Sequence, residues 1–194
     1  MRVRKYESYD EYIAHQKIKT LKPKVKNISE NRFQYNVGRF TQLFKKLPKY
    51  LKKGSKAICL GARRGEEIVA LKSYGYNAIG VDLVAFPPNV IEADFHNLPF
   101  KDGSFDFVFS NAIDHILDIE KFVMEITRVV KRKGYVLLHL AVGKWSDEMS
   151  FGINSHKEVF KYFKEKFKVC KKFSHKCYSH GGLNYSILMK KTKN

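Results

Sequence analysis

A glycine-bearing turn, followed at a fixed distance by an acidic residue, is the first feature of the sequence that could do chemistry. The apolar run 57–60 ends in Gly61-Ala62-Arg63-Arg64-Gly65. Glycines at the two ends of this stretch permit a tight turn and let a ligand approach backbone amides at the start of a helix. About 20 residues after Gly61 comes Asp82, at the spacing where a carboxylate can bond the hydroxyls of an adenosine ribose.

A second acidic residue, Asp94, ends the next apolar run and is followed by Phe95. The carboxylate could accept an amino hydrogen of adenine while the Phe95 ring covers the face of the base. The alternative is that Asp82 and Asp94 only cap turns. Groups suited to adenosine follow three consecutive predicted strands, and we therefore favour a nucleoside site.

The turn does not have the dinucleotide fingerprint Gly-x-Gly-x-x-Gly, because Arg63 and Glu66 stand at its second and third glycine positions. The pyrophosphate of a nicotinamide or flavin cofactor needs bare backbone there. The sequence thus argues against both cofactors.

The stretch Asn111-Ala112-Ile113-Asp114-His115 follows a fourth apolar run. His115 could take a proton from an acceptor hydroxyl or amine, with Asp114 positioning the imidazole or the substrate. The alternative is that His115 caps a helix or packs against a bound cofactor. Both interpretations stay open, because alignment alone can carry a transfer from a reactive donor.

Alternating strands and helices must position these residues. The predicted strands are 56–60, 77–81, 90–93, 104–110, 134–141, 168–174 and 183–190. Helices are predicted over 65–74, 119–130 and 156–166. This order predicts an α/β fold, a doubly wound, Rossmann-like and mostly parallel sheet that binds ligands at the carboxyl ends of its strands.

Residues 1–50 are predicted to be an N-terminal helical arm packed on a domain formed by residues 51–194. One helix covers 8–20, and another starts after Ser29, a predicted N-cap, and ends near Pro48. Tyr12, Gln16 and Lys19 share one face of the first helix and could cover the site as a lid that contacts substrate. The alternative is a helix docked away from the cleft.

Taken together, these segments resemble the class I S-adenosylmethionine-dependent methyltransferase family, in its type 11 branch. The resemblance covers roughly 56–141. It rests on five stretches: Ile58-Cys59-Leu60-Gly61-Ala62-Arg63-Arg64-Gly65-Glu66-Glu67, Gly80-Val81-Asp82-Leu83, Asp94-Phe95-His96-Asn97-Leu98-Pro99-Phe100, 104–111 and 125–135.

The resemblance implies a seven-strand sheet with an antiparallel last strand, S-adenosylmethionine across its carboxyl edge, and methyl transfer. The implied cofactor contacts are Gly61, Ala62 and Gly65 at the methionine, Asp82 at the ribose, Asp94 and Phe95 at the adenine, and Asn111 beneath the methionine end, with Arg63 and Leu83 as further cofactor-binding residues.

Two positions depart from the family pattern and leave the contacts to the methionine amino group open. Cys59 stands where the first strand usually carries an acid, and Arg63 replaces the middle glycine of the turn. A poorly characterised subgroup resembles this chain in its Gly-Ala-Arg-x-Gly turn and its Asn-x-x-Asp-His sequence.

A net charge of +18 raises the possibility of a nucleic-acid partner. The excess is mostly lysine, is spread over both ends of the chain, and lacks the arginine typical of planar phosphate recognition. We therefore expect a solvated basic surface and a small-molecule acceptor, such as a sugar or other metabolite. An RNA methyltransferase and a non-catalytic cofactor-binding protein remain the alternatives.

Cysteine usage and hydropathy predict a protein of the cytoplasm without a membrane partner. Three cysteines lack framework spacing, and no apolar stretch approaches the ~20 residues that a membrane span needs. Cys170, His175, Cys177 and His180 are residue types that bind zinc, but their spacing matches no common zinc module. No metal is therefore expected.

Overall fold

Two helices come before the first strand in the computed structural model, which describes residues 4–23, 27–143, 149–174 and 184–193. Helix α1 spans Tyr9–Leu21 and helix α2 spans Glu30–Phe44, followed by a 3-10 turn at Leu47–Lys49. The Ser29 hydroxyl accepts a hydrogen bond from the amide of Arg32 at 3.3 Å, which confirms the predicted N-cap. Ser8 caps α1 in the same way.

Strands and helices then alternate. Their bounds are β1 Lys56–Leu60, α3 Glu66–Ser73, β2 Asn77–Asp82, β3 Val90–Glu92, β4 Phe105–Ser110, α4 Ile119–Val129, β5 Val130–Leu140, α5 His156–Phe163, β6 Phe167–Ser174 and β7 Tyr185–Lys191. A second 3-10 turn, Ile113–His115, follows β4.

The seven strands form one sheet in the order β3-β2-β1-β4-β5-β7-β6. Strand β7 is antiparallel to both of its neighbours, and the remaining pairs are parallel. This confirms the predicted mostly parallel sheet. The strand order reverses between β1 and β4, and in such sheets a ligand crevice opens at that point, beside the carboxyl ends.

Both faces of the sheet are covered, as the continuous apolar strands require. One hydrophobic cluster packs α4 and α5 against the sheet through Phe122, Ile126 and Phe163. The other contains Phe44 of α2 and Leu71 of α3. Cys59 on β1 is fully buried in the second cluster.

Some boundaries differ from the prediction for local reasons. Strand β5 begins at Val130 rather than at residue 134, because Val130 pairs with Phe105 ahead of a register shift. Strand β3 ends at Glu92, and Asp94 instead bridges to Asn97 within its own turn. The predicted start of β7, residue 183, lies outside the described residues.

The apolar residues of α2 and of the 3-10 turn after it are buried only toward the end of this segment. Phe44 and Leu47 are buried, whereas Val37, Phe40 and Leu43 are partly buried against the same cluster. Helix α2 thus shares the core of the sheet with α3, and other residues along α2 line the space beside the strand ends. In the part of the chain that the structure describes, no helix has the length and apolarity needed to cross a membrane.

Candidate functional site

A cavity of about 870 Å³ opens at the carboxyl ends of the strands, between the sheet and the two N-terminal helices. Twelve of the residues predicted from the sequence line it: Tyr12, Gln16, Lys19, Gly61, Ala62, Arg63, Asp82, Leu83, Phe95, Asn111, Asp114 and His115. Gly65 and Asp94, also predicted, are not among the lining residues. The volume is in the range of small-molecule sites.

The turn after β1 is held in left-handed backbone conformations. Gly61 has φ 73° and Gly65 has φ 82°. A Cβ on Gly61 would lie 2.6 Å from Cβ of Ala112, so only glycine fits where the turn approaches β4. Gly65 is the N-cap of α3, and its amide donates to the carbonyl of Ala62 at 2.7 Å. Its contribution is therefore to the shape of the turn.

Asp82 connects this turn to the end of β2. Its Oδ2 accepts the amide hydrogen of Arg63 at 2.9 Å, and Oδ1 accepts that of Val84 at 3.4 Å. The side chain is buried yet lines the cavity. Burial raises its pKa above the usual range, against the lowering effect of these amide hydrogen bonds. Asp82 thus presents a fixed acceptor to the cavity.

Asp94 points into a network formed with the arm rather than into the cavity. Its carboxylate accepts hydrogen bonds from the Tyr9 hydroxyl and from the amide of His96, the latter at 2.8 Å. Burial raises its pKa, but hydrogen bonds from His96 and Tyr9 outweigh that effect and lower it overall. The adenine contact of Asp94 stays a prediction, while Phe95 beside it lines the cavity.

His96, which the sequence analysis missed, completes this network. Its ring is buried, with Nδ1 3.0 Å from Oδ1 of Asp94 and Nε2 accepting the amide of Asp118 at 3.4 Å. Since Nε2 accepts, Nδ1 carries the proton and donates to Asp94. The network ties helix α1 to the loop after β3. A histidine two residues after a strand-end acid was the signal in the sequence, but its partner Tyr9 is far away along the chain.

Helix α1 lies along the cavity with the predicted face inward. Tyr12 is 1% exposed and makes edge contacts with the rings of Tyr6 and His96. Gln16 donates to the Tyr6 hydroxyl at 3.2 Å, and Nζ of Lys19 lies 3.2 Å from Nδ1 of His115. All three residues line the cavity, while the lid role and the substrate contacts stay predictions.

His115 and Asp114 stand together on the 3-10 turn after β4. Nε2 of His115 is 3.8 Å from Oδ2 of Asp114, an ion-pair distance that is long for a hydrogen bond. The Lys19 ammonium can only donate, so Nδ1 of His115 accepts from it. Burial raises the pKa of Asp114 to about 6, opposed by the charges of Lys19 and Arg63. Asp114 is therefore mostly ionised at neutral pH.

The far end of the cavity is basic and contains residues that the sequence analysis did not select. Nδ1 of His139, on β5, lies 2.7 Å from the Ser186 hydroxyl. Nζ of Lys46 lies 5.2 Å from the centre of the Phe173 ring on β6. Arg39, on α2, and Lys45, directly after it, also line the cavity. Strand order places this end beyond β4, away from Asp82.

Among the described residues, no group of three or more histidine, cysteine, aspartate or glutamate side chains could hold a metal ion. Of the weighed zinc ligands, Cys170 is exposed on β6. His175, Cys177 and His180 lie outside the described residues, so that site is not tested.

Comparison with known proteins agrees with this geometry. Residues 58–138 match the family model described as a methyltransferase domain. Over 81 residues the chain is 36% identical to the uncharacterized methyltransferase YcgJ of Bacillus subtilis. The aligned stretch covers 41% of this chain and 30% of that relative. The match thus spans less than a third of the relative's length.

Solved structures share the whole fold. The PH0226 protein of Pyrococcus horikoshii has a TM-score of 0.66 at 21% identity, over 91% of this chain and 99% of that one. The 1,6-didemethyltoxoflavin-N1-methyltransferase of Burkholderia thailandensis, solved with its substrate and S-adenosylhomocysteine, has a TM-score of 0.76 at 12% identity, over 99% and 94%.

The fold and cavity define an α/β domain with its cavity at the switch point of the sheet. The methyltransferase-domain match over residues 58–138, the relative and the shared fold support the resemblance to the class I S-adenosylmethionine-dependent methyltransferases. The subgroup with the Gly-Ala-Arg-x-Gly turn stays a prediction.

Proposed function

We propose that this protein transfers the methyl group of S-adenosylmethionine to a hydroxyl or amine of a small-molecule acceptor. One observation carries the proposal: a single cavity joins the Gly61 turn and Asp82, at one end, to His115 and Lys19 at the other. A donor held on the turn would therefore face a second ligand held beside His115. Transfer requires that the two meet in line, and such a shared space provides this alignment.

The residues present fit the methyl donor. Gly61 leaves a cradle that a Cβ would fill, and Asp82 presents a buried carboxylate one strand away. In the proposed complex Asp82 bonds the ribose, Leu83 and Phe95 border the adenine, and Ala62 and Asn111 border the methionine. When bound, S-adenosylmethionine supplies a methyl group activated by positively charged sulfur.

The chain itself would move the proton. The basic atom of His115 is Nδ1, which Lys19 now contacts, so an acceptor must displace the Lys19 ammonium before His115 can take its proton. Asp114, close to Nε2, would stabilise the imidazolium that forms. If His115 only packs, alignment carries the reaction without a base.

The charges beside the acceptor end favour an acceptor with an acidic group. Lys19 lies beside His115, and Arg39, Lys45 and Lys46 also line the cavity. A carboxylate or phosphate on the acceptor would match these cations. The cavity volume of about 870 Å³ is in the range of small-molecule sites, which favours a metabolite.

RNA is the second candidate acceptor, because the net charge is +18 and Lys45 and Lys46 are exposed at the cavity. We expect RNA binding that is weak and collapses between low and physiological salt. Tight binding of one RNA at physiological salt, measured by fluorescence anisotropy, would promote this candidate above the first.

Calorimetry with S-adenosylhomocysteine tests the proposed function. We expect micromolar binding by the native protein and loss of about 100-fold or more in Asp82→Ala, because this variant removes the carboxylate at the end of β2 that is proposed to bond the ribose. Asp102→Ala, at an exposed site distant from the cavity, is the control. A folded native sample that gives no heat with S-adenosylmethionine or its product would refute the assignment.

A further inference from the structure

The cofactor end of the cavity contains three buried carboxylates, Glu66, Glu67 and Asp82. Within the described ranges, none of the three forms an ion pair with a lysine or arginine. Buried carboxylates are normally paired or hydrogen-bonded, because removing the charge from water is costly. A buried carboxylate that faces a cavity without a basic partner is therefore a candidate for binding a ligand.

Two of the three carboxylates have protein donors. Asp82 accepts the amides of Arg63 and Val84. Glu66 accepts Nδ2 of Asn36, on α2, at 3.1 Å. Both side chains are thus held by the protein itself.

Glu67 has no such donor. It is 3% exposed, and in the described part of the chain its carboxylate is bonded by nothing beyond its own backbone amide. Burial raises its pKa well above the usual range, and the charge of Glu66 adds to the effect. Arg63 opposes the shift, but its side chain is exposed and forms no ion pair with Glu67.

The position of Glu67 defines the kind of partner that can reach it. It lies in the first turn of α3, directly after the Gly61–Gly65 turn, and it lines the cavity. A ligand with its nucleoside at Asp82 and its tail along the turn brings that tail to Glu67. A carboxylate that faces the cavity without a protein donor favours a cationic ligand, above all an ammonium that can donate several hydrogen bonds.

We propose that Glu67 binds the α-ammonium group of the methionine portion of S-adenosylmethionine. This rests on the proposed function, since it assigns a contact within the same cofactor complex. The ammonium would bring a positive charge to a cluster of three acids, so that ligand binding relieves the mutual repulsion of Glu66, Glu67 and Asp82. Glu67 would then help to distinguish intact cofactor from nucleosides that lack an amino group.

The test compares two ligands that differ in one group: S-adenosylhomocysteine and its deaminated analogue, in which hydrogen replaces the α-amino group. We expect Glu67→Gln to weaken binding of the first about tenfold and of the second less than twofold, as loss of a charge-assisted hydrogen bond requires. Glu66→Gln is the matched control: it removes a neighbouring charge but no proposed contact, so it should change the ratio between the two ligands less than Glu67→Gln does.

Each outcome of the titrations has a separate meaning. If neither ligand binds the folded native protein, the proposed function fails. If S-adenosylhomocysteine binds Glu67→Gln as tightly as the native protein, or if both ligands weaken equally, the ammonium contact is refuted while the cofactor site stands. Thermal melting checks folding, and Glu67→Gln should melt no lower than the native protein, because it removes a buried acid without a partner. Glu67→Asp, which keeps the charge, supplies a second variant.

Discussion

The two ends of the cavity are built differently. At the cofactor end, Gly61, Asp82 and the amide of Arg63 form a buried unit whose parts fix each other through backbone contacts. At the acceptor end, side chains of α1 and of the residues directly after α2, including the exposed Lys45 and Lys46, contribute to the wall together with His115 and His139. In the proposed complex the backbone would fix where the nucleoside lies, while long side chains from the N-terminal helices would determine what else can enter. Such a division lets one fold serve many acceptors.

The largest expected effect concerns the acceptor end. In the proposed mechanism His115→Asn removes the basic nitrogen while roughly keeping shape, so turnover should fall by about 10²–10⁴. The melting temperature and the affinity for S-adenosylhomocysteine should stay native, because the cofactor end is untouched. The assay is methyl transfer to an acceptor found by screening acidic metabolites.

His139→Asn is the matched variant, since His139 lines the same end of the cavity and is bonded to Ser186. Turnover in His115→Asn within about threefold of native would show that alignment alone carries the reaction. Loss of turnover in His139→Asn alone would indicate that His139, on β5, is the base.

A smaller effect is expected where α1 joins the loop after β3. Tyr9→Phe removes the hydroxyl bonded to Asp94 and His96, and should lower the free energy of unfolding by about 1–2 kcal/mol. Urea denaturation measures it. Tyr35→Phe, at a residue that is 53% exposed, is the control and should stay within about 0.5 kcal/mol of native. An unchanged stability in Tyr9→Phe would mean that the arm is not anchored through this network.

These contacts also show which parts of the site could be predicted. The cofactor end could be predicted from the sequence because its elements are local: a glycine turn directly after one strand, and an acid at the end of the next strand. The bond from Tyr9 to Asp94 joins residues 85 positions apart, and neither residue type indicates the other. This hydrogen bond forms only through tertiary packing, and it holds the Asp94 carboxylate away from the cavity.

Glu67 shows the same limit within one helix. Glu66 and Glu67 are adjacent, equally acidic, and both in the first turn of α3, where acids are favoured by the helix dipole. The sequence alone could not show that Asn36 would bond to one and leave the other without a donor. Because Cys59 stands in place of the usual acid, the sequence left the methionine contacts open. Glu67 is close enough to Cys59 for its charge, together with burial, to raise the pKa of the thiol.

The smallest expected effect tests the rigidity of the cofactor end. Arg63 has φ 45°, a left-handed conformation that costs an L-residue other than glycine about 1–2 kcal/mol. Arg63→Gly and Arg63→Ala both remove the guanidinium and keep the amide that bonds Asp82. They differ in strain, because only glycine adopts this φ freely. Arg63→Gly should therefore be more stable than Arg63→Ala by up to about 1 kcal/mol, after the larger entropy of the unfolded glycine chain is subtracted. Urea denaturation of both variants gives the difference. Equal stability, or a more stable alanine variant, would mean that the turn relaxes when Arg63 is replaced, and the contrast between a fixed cofactor end and an adaptable acceptor end would no longer hold.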